Sequence, residues 1–289
     1  MKSGFVSIFG KPNAGKSTLL NGLLQEKLAI VSPKVQTTRH RIKGFINKPG
    51  EYQIILSDTP GIIESQYKLH ERMMQAVASA LEDSDVNLLI VDAADDWESV
   101  DRIFSSLKLK SNSILVINKT DKINVVKLEQ IKNFFSSKVY GKNIIPISAL
   151  QQENLDVLLE KIIEFLPEAE AYYQEDDLTD LPTRFFVGEL VREQIYHLLE
   201  DEIPYHTTVC VNVFKEQEKL IKIQADIIVQ RESQKAIILG QGGSMIKKIG
   251  IASRQEIETF LQQKIYLQLF VKTRPKWRNN DWMLREYGY

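Results

Sequence analysis

The chain has 289 residues, a mass of 33.2 kDa, and 37 Lys+Arg against 38 Asp+Glu, a formal net charge of −1. That length suits two modest domains, each able to bury its own core, and 43% hydrophobic with 26% charged residues excludes a disordered or fibrous composition. The single cysteine, Cys210, excludes an intramolecular disulfide framework and a multi-cysteine zinc site and suits a reducing compartment. No apolar run approaches the ~18 residues of a membrane span, and the opening MKSGFVSIFG reads as the start of structure, not as a signal peptide.

Up to about residue 166, short apolar runs alternate with helical patterns. Strands are expected at 5–9, 52–56, 86–91, 113–117 and 144–147, nearly continuous in Val, Ile and Leu as in strands buried on both faces of a parallel sheet. Over 155–166, Leu155, Leu158, Leu159, Ile162, Ile163 and Leu166 share one helical stripe, and Pro167 stops the helix. The alternation predicts a doubly wound α/β domain with a mostly parallel sheet over 1–166. Residues 167–182, PEAEAYYQEDDLTDLP, hold six acids and no bases between two prolines, and read as a solvated inter-domain linker. From 183 to 289 the order changes. A helix over 186–199 precedes alternating strands at 207–213 and 220–229, with a polar turn at 215–218 between them. A short helix, a glycine cluster, a longer helix and a strand at 265–271 complete an α-β-β-α-α-β, α+β domain with a three-stranded sheet.

Chemistry concentrates at the predicted strand ends of the first domain. Gly10-Lys11-Pro12-Asn13-Ala14-Gly15-Lys16-Ser17-Thr18 follows the first strand, opens a helix and fits G-x-x-x-x-G-K-[ST]. Backbone N–H groups of such a loop converge on phosphates at a helix N-terminus. Lys16 would neutralise the β- and γ-phosphates, and the Ser17 hydroxyl would bind Mg²⁺. Asp58-Thr59-Pro60-Gly61 ends the second strand, where Asp58 would hold Mg²⁺ through water and the Gly61 N–H would meet the γ-phosphate. Asn118-Lys119-Thr120-Asp121 ends the fourth. The Asp121 carboxylate would accept from both N1–H and the exocyclic amine of guanine, a pairing that adenine cannot offer. Lys119 would lie along the base, Asn118 would tie the loops together, and Ser148-Ala149-Leu150 would present the Ala149 N–H to the guanine oxygen. DxxG is weak alone and SAL carries almost no information by itself, but four motifs in order at successive strand ends define a guanine-nucleotide site for GTP and GDP.

Between the first helix and the second strand lies IVSPKVQTTRHRIK, residues 30–43. A threonine there would complete the Mg²⁺ shell only with γ-phosphate present, which makes the loop a nucleotide switch. Thr38 is the first candidate, and Thr37 stays open. Gly61 is followed by Ile62, not by a glutamine able to orient water, so slow intrinsic hydrolysis is expected. Asn13 reads equally as a ligand for K⁺ beside the phosphates and as a loop-bracing amide.

Charge is polarised along the chain. Residues 181–289 carry 16 bases against 13 acids, net +3, which leaves −4 for residues 1–180. From Ser233 to Arg278 there are nine bases and two acids, the footprint expected for a phosphate backbone. At its centre Gly240-Gln241-Gly242-Gly243-Ser244 joins two helices, followed by Lys247 and Lys248. Helix–GxxG–helix in a basic segment before a strand reads as a KH module of type II, which clamps about four single-stranded nucleotides. Lys272, Arg274, Lys276 and Arg278 interleave with Trp277 and Trp282. Trp277 is open to base stacking or packing, and packing is favoured for Trp282.

Together GKPNAGKSTLLN, QTTRHRI, DTPGI, NKTD and ILGQGGSMIKKIG resemble, over essentially the whole chain, the Era family of bacterial ribosome-biogenesis GTPases. The resemblance implies binding of the single-stranded 3′ end of small-subunit rRNA and action in small ribosomal subunit assembly. It also implies a cytoplasmic protein with peripheral association at the inner membrane; a monomer is expected. A hydrophobic residue after DxxG belongs to the family pattern, and Asn13 matches the cation-linked asparagine of related GTPases. Gln241 stands where a lysine is frequent, which would shift a phosphate contact onto Lys247 or Lys248. Two other readings compete: a nucleotide-gated RNA chaperone with incidental hydrolysis, and a membrane-associated regulatory GTPase whose second domain is an adaptor.

Overall fold

A computed structural model describes residues 1–218 and 220–289, which form two compact units. The first comprises residues 1–29, 38–65 and 73–180; the second comprises 30–37, 66–72 and 181–289. Two short excursions of the N-terminal half thus belong to the second unit, which a single cut at 166–182 did not anticipate.

In the first unit, β1 (Lys2–Phe9), β3 (Tyr52–Asp58), β4 (Val86–Asp92), β5 (Asn112–Asn118) and β6 (Ile144–Pro146) form the parallel strands read from the sequence. A sixth, β2 (Ile42–Lys48), pairs antiparallel to β3 along the edge, giving the order β2-β3-β1-β4-β5-β6. The sequence reading left these residues partly in a loop. IKGFINK mixes lysines and a glycine with its apolar residues, as an edge strand tolerates. On one face, α2 (Lys68–Asp83), α3 (Trp97–Ser106) and α4 (Val125–Ser136) bury Val77, Ala80, Val100, Phe104, Ile131 and Phe135 against Phe9, Leu89, Val91, Leu115 and Ile117. α1 (Lys16–Leu24) packs beside α5 (Leu155–Phe165), where a Cβ on Gly22 would lie 3.0 Å from Leu155. The doubly wound α/β expectation holds, and the wide parallel sheet places the ends of β1, β3, β5 and β6 along one rim.

The acidic stretch after Leu166 is not a free solvated tether. Gln53, buried on β3, accepts from the Tyr172 and Tyr173 N–H groups at 2.6 and 3.0 Å and donates to the Tyr173 carbonyl at 2.9 Å. Tyr173 stacks on Phe45 with ring centroids 4.0 Å apart, the Leu178 carbonyl accepts from Phe45 N–H, and Lys43 pairs with Asp180 at 2.7 Å. Aromatic stacking and satisfied backbone groups hold the segment to β2 and β3 as far as Asp180.

The second unit contains α6 (Thr183–Leu198), β7 (Thr208–Glu216), β8 (Ile221–Val229), α7 (Glu232–Leu239), α8 (Ser244–Leu261), β9 (Ile265–Thr273) and α9 (Asp281–Glu286). Its sheet has the order β7-β8-β9, antiparallel then parallel, with a bulge between Val211 and Val213. β7 runs on through Lys215 and Glu216, into the expected turn at 215–218. Val187, Leu190, Val191 and Ile195 of α6 meet Ile223, Ile227 and Val229 of β8 and Ile249 and Ile257 of α8 in one core. The α-β-β-α-α-β order of a type II KH domain is present, with α9 appended.

Candidate functional site

The loop after β1 carries the first motif into α1. Gly15, at φ 101°, is the N-cap of α1, a conformation that favours glycine, and a Cβ there would stand 2.2 Å from Asn118 Nδ2. The first turn of α1 holds no acid, so its N–H groups and partial positive charge remain available to an anion. Lys16 is buried, and its Nζ donates to the carbonyls of Gly10 at 3.1 Å and Lys11 at 2.8 Å. Burial pulls its pKa from the ordinary lysine value to about 8, against the opposing pull of Asp58.

Three oxygen donors converge beside it. Ser17 Oγ lies 2.6 Å from Asp58 Oδ2 and 2.8 Å from Thr38 Oγ1, and Thr38 Oγ1 lies 3.1 Å from the same carboxylate oxygen. Burial raises the Asp58 pKa, opposed by Lys16, Ser17 and Thr38, and Asp58 Oδ1 is buried with no hydrogen-bond partner among the described residues. A buried carboxylate oxygen without a partner, next to two hydroxyls, is a donor set that fits Mg²⁺. Thr37 is not part of it: its hydroxyl donates to the Lys34 carbonyl at 2.7 Å. Of the two threonines left open by the sequence, it is Thr38 that the structure brings to Ser17 and Asp58. In the second motif, Thr59 Oγ1 donates to the Ile8 carbonyl at 2.6 Å, bracing the loop. A Cβ on Gly61 would meet Pro12 at 2.8 Å, and the next N–H, that of Ile62, donates to the Gly10 carbonyl. The Ile62 side chain packs on the apolar cluster around Phe9 and Leu89.

The loops expected to face the base are braced, with one difference. Asn118 donates to the Ala14 carbonyl at 2.8 Å and accepts from the Ala149 N–H at 3.0 Å, tying three loops together. That backbone N–H, expected to face the guanine oxygen, is engaged here by the Asn118 side-chain oxygen. Ser148 Oγ donates to Asp121 Oδ1 at 2.6 Å and aims an otherwise exposed carboxylate, while Leu150 is exposed. Lys119 Nζ donates to the Asn13 carbonyl at 2.8 Å and to Asp92 at 2.6 Å. Asp92 was missed by the sequence reading. Its signal was an acid at the C-terminal end of β4, whose register places it opposite Asn118.

In the second unit α7 ends at Gly240. Gln241–Gly243 make a single tight turn, with Gly242 and Gly243 at φ 59° and 79°, and α8 starts at Ser244. Gln241, Gly242, Ser244, Lys247 and Lys248 are exposed, flanked by exposed Ile237 and Ile251. The tail corrects two expectations. Trp277 is 0% exposed; its Nε1 donates to the His206 carbonyl at 3.1 Å and its ring stacks near Tyr289, so it offers no face to a base. Trp282, for which packing was favoured, is 68% exposed. Lys272 is paired with Asp226 at 2.5 Å, and the Arg278 guanidinium lies 4.2 Å over the Tyr67 ring, so neither is an unengaged RNA contact. Arg274 and Lys276 are exposed. Cys210 is partly buried, its thiol pushed up to about 12 by burial, a poor nucleophile.

A P-loop, a hydroxyl–carboxylate cluster beside it, the Asn118–Asp121 motif at the end of β5 and a separate GxxG module point to the class: a guanine-nucleotide-binding protein with a KH domain. Residues 5–119 match the family model for the 50S ribosome-binding GTPase, and residues 202–278 match that for the KH domain. GTPase Era of Geobacter sp. (strain M21) is 44% identical over 100% of this chain and 98% of its own. GTPase Era of Ruminiclostridium cellulolyticum is also 44% identical, over 100% and 97%. Two solved structures, each at TM-score 0.95 and 41% identity, match 100% of this chain and 99% of theirs. One is a tyrosine-to-alanine variant of Aquifex aeolicus Era bound to GDP·AlF4⁻, the other Era in complex with MgGDPNP and nucleotides 1506–1542 of 16S ribosomal RNA. The chain belongs to the Era family of GTPases.

Proposed function

We propose that this protein is a GTP-hydrolysing switch that binds the 3′ end of small-subunit rRNA through its KH unit and acts in assembly of the small ribosomal subunit. The observation that carries the reading is the presence, in one chain, of the Ser17–Thr38–Asp58 cluster beside Lys16 and of an exposed GxxG turn followed by Lys247 and Lys248. The Era structure holding both MgGDPNP and an rRNA fragment supports it. Lys16 and the N–H groups of α1 would hold the β- and γ-phosphates; Ser17, Thr38 and Asp58 would hold Mg²⁺, which supplies charge neutralisation when bound. Hydrolysis then needs a positioned water attacking in line and no covalent intermediate. The decisive experiment is crosslinking to total RNA with GTP and with GDP. Crosslinks at the 3′ end of small-subunit rRNA are expected in at least one state, and their absence from both would sink the reading.

The GxxG turn allows a sharper test. A Cβ at Gly242 would meet nothing within 4 Å, and aspartate tolerates left-handed backbone better than most residues. Gly242→Asp should therefore fold, place a negative charge in the phosphate path, and weaken binding of an rRNA 3′-end oligonucleotide by about tenfold or more. GDP affinity, titrated on the same sample, should stay unchanged.

Asn13 is exposed at φ 63° beside the phosphate loop, and its carbonyl is engaged by Lys119. In this reading its side chain is a K⁺ ligand. Turnover should then be faster in potassium than in sodium at equal ionic strength, and Asn13→Ala should remove the difference; equal rates in the two salts count against the site. Location in the cytoplasm with peripheral inner-membrane association, and a monomeric state, complete the proposal and rest on the family resemblance. Among the described residues no helix is long and apolar enough to cross a membrane.

A further inference from the structure

The second unit contains a built grip on the residue that precedes the switch threonine. Arg192, on α6, is 0% exposed, and its guanidinium forks onto Glu189 one turn earlier, with Nε–Oε1 at 2.8 Å and Nη2–Oε2 at 2.5 Å. Nη2 also donates to the Thr37 carbonyl. A buried guanidinium is retained at a cost unless paired and hydrogen-bonded, and an apolar side chain would fill such a space at least as well. Here the guanidinium of the pair also donates to a backbone carbonyl of a loop without regular secondary structure.

The same stripe of α6 holds the rest of the segment. Glu193 Oε1 accepts from the Val31 N–H at 3.0 Å, and the Tyr196 hydroxyl donates to the Gln36 carbonyl at 3.0 Å. Lys34 Nζ donates to the Tyr196 carbonyl at 2.7 Å and to that of Leu199. Residues 189, 192, 193 and 196 fall on one face by helical spacing. Thr37 is held at its carbonyl by Arg192 and at its hydroxyl by Lys34. The next residue, Thr38, engages Ser17 and Asp58.

We propose that Arg192, oriented by Glu189, is a positioning residue for Thr38: by holding the Thr37 carbonyl it fixes the backbone from which Thr38 reaches the Ser17–Asp58 pair. The inference rests on the GTPase reading above and adds its regulation. A threonine that binds only when γ-phosphate is present selects GTP over GDP by the cost of ordering its loop. A loop already held on α6 has less to order. The coupling is reciprocal, so GTP strengthens the α6 grip as much as the grip strengthens GTP binding.

The test uses the full chain carrying Glu189→Gln and Arg192→Met together, which removes both charges at similar volume and orphans neither. Affinities for GDP and for a non-hydrolysable GTP analogue are measured at saturating Mg²⁺, with single-turnover hydrolysis and rRNA 3′-end binding without nucleotide. Analogue affinity and the hydrolysis rate should each fall about tenfold while GDP affinity stays within about twofold; Arg192→Lys alone should recover part of the loss. An unchanged GTP-to-GDP affinity ratio in a variant that binds GDP normally overturns the proposal. Should the double variant fail to bind GDP, the ratio in Arg192→Lys decides in the same way: an undiminished ratio there overturns it. Failure of the wild type to bind rRNA would remove the ribosomal reading and leave this ratio test standing.

Discussion

Replacing Lys16 with alanine should lower affinity for GTP and GDP by about 10²–10³-fold, from the loss of charge-assisted contacts worth about 1.5–3 kcal/mol each. The melting temperature of the nucleotide-free protein should not fall with it. The two halves of this expectation have one cause. Lys16 is buried, and its Nζ donates to the Gly10 and Lys11 carbonyls. Burial drags its pKa down to about 8, so the charged ammonium is poorly compensated until phosphate oxygens arrive. Removing it takes away a cost of the empty fold and the main attraction of the bound one. Calorimetric titration with each nucleotide, beside thermal unfolding without any, separates the two. A melting temperature falling in step with affinity would make Lys16 a structural residue of the loop and contradict its assigned role.

What could be read in advance divides along a physical line. The parallel strands and the nucleotide motifs were legible because both are local patterns: continuous Val, Ile and Leu runs, and loops whose glycines and charges stand at fixed offsets. Thr38 could be placed only within a pair, since neighbouring threonines differ in the partner each finds, Ser17 and Asp58 for one and Lys34 for the other. β2 was hidden because an edge strand with one covered side need not be apolar throughout. The acidic stretch read as solvated chain because composition does not reveal Gln53, a buried polar side chain on another strand that satisfies its backbone. Trp277, open between stacking and packing, is the one that packs, and Trp282, for which packing was favoured, is exposed, for a similar reason: burial of an indole depends on a distant acceptor, here the His206 carbonyl. Arg192 was the hardest to foresee. A charged residue within a helical pattern reads as a solvent-facing position, and partners such as Glu189 and the Thr37 carbonyl make burial tolerable.

Base selection offers the second large effect. Asp121→Asn should reduce GTP affinity by about 10³-fold or more, in the range found where a site built around a substrate hydrogen bond meets the wrong group, and should create a preference for XTP. Guanine presents two donors, N1–H and the 2-amino group, and a carboxylate accepts both. Xanthine keeps N1–H but has a carbonyl at position 2, so it needs one acceptor and one donor, which an amide supplies. Ser148 Oγ, 2.6 Å from Asp121 Oδ1, sets which end of the asparagine goes where: the hydroxyl donates, so the amide oxygen takes the Oδ1 place and the NH₂ the Oδ2 place, one acceptor and one donor toward the base. Lys119 remains held by Asp92 and the Asn13 carbonyl, so the surface along the base is unchanged. Competition of GTP and XTP for the variant at fixed Mg²⁺ checks this directly. Retained preference for GTP would remove Asp121 from base recognition. Ser148→Ala, which frees the carboxylate to rotate, should weaken GTP binding far less than Asp121→Asn and leave the choice of base intact, because it loosens the aim of the acceptor without changing its sign.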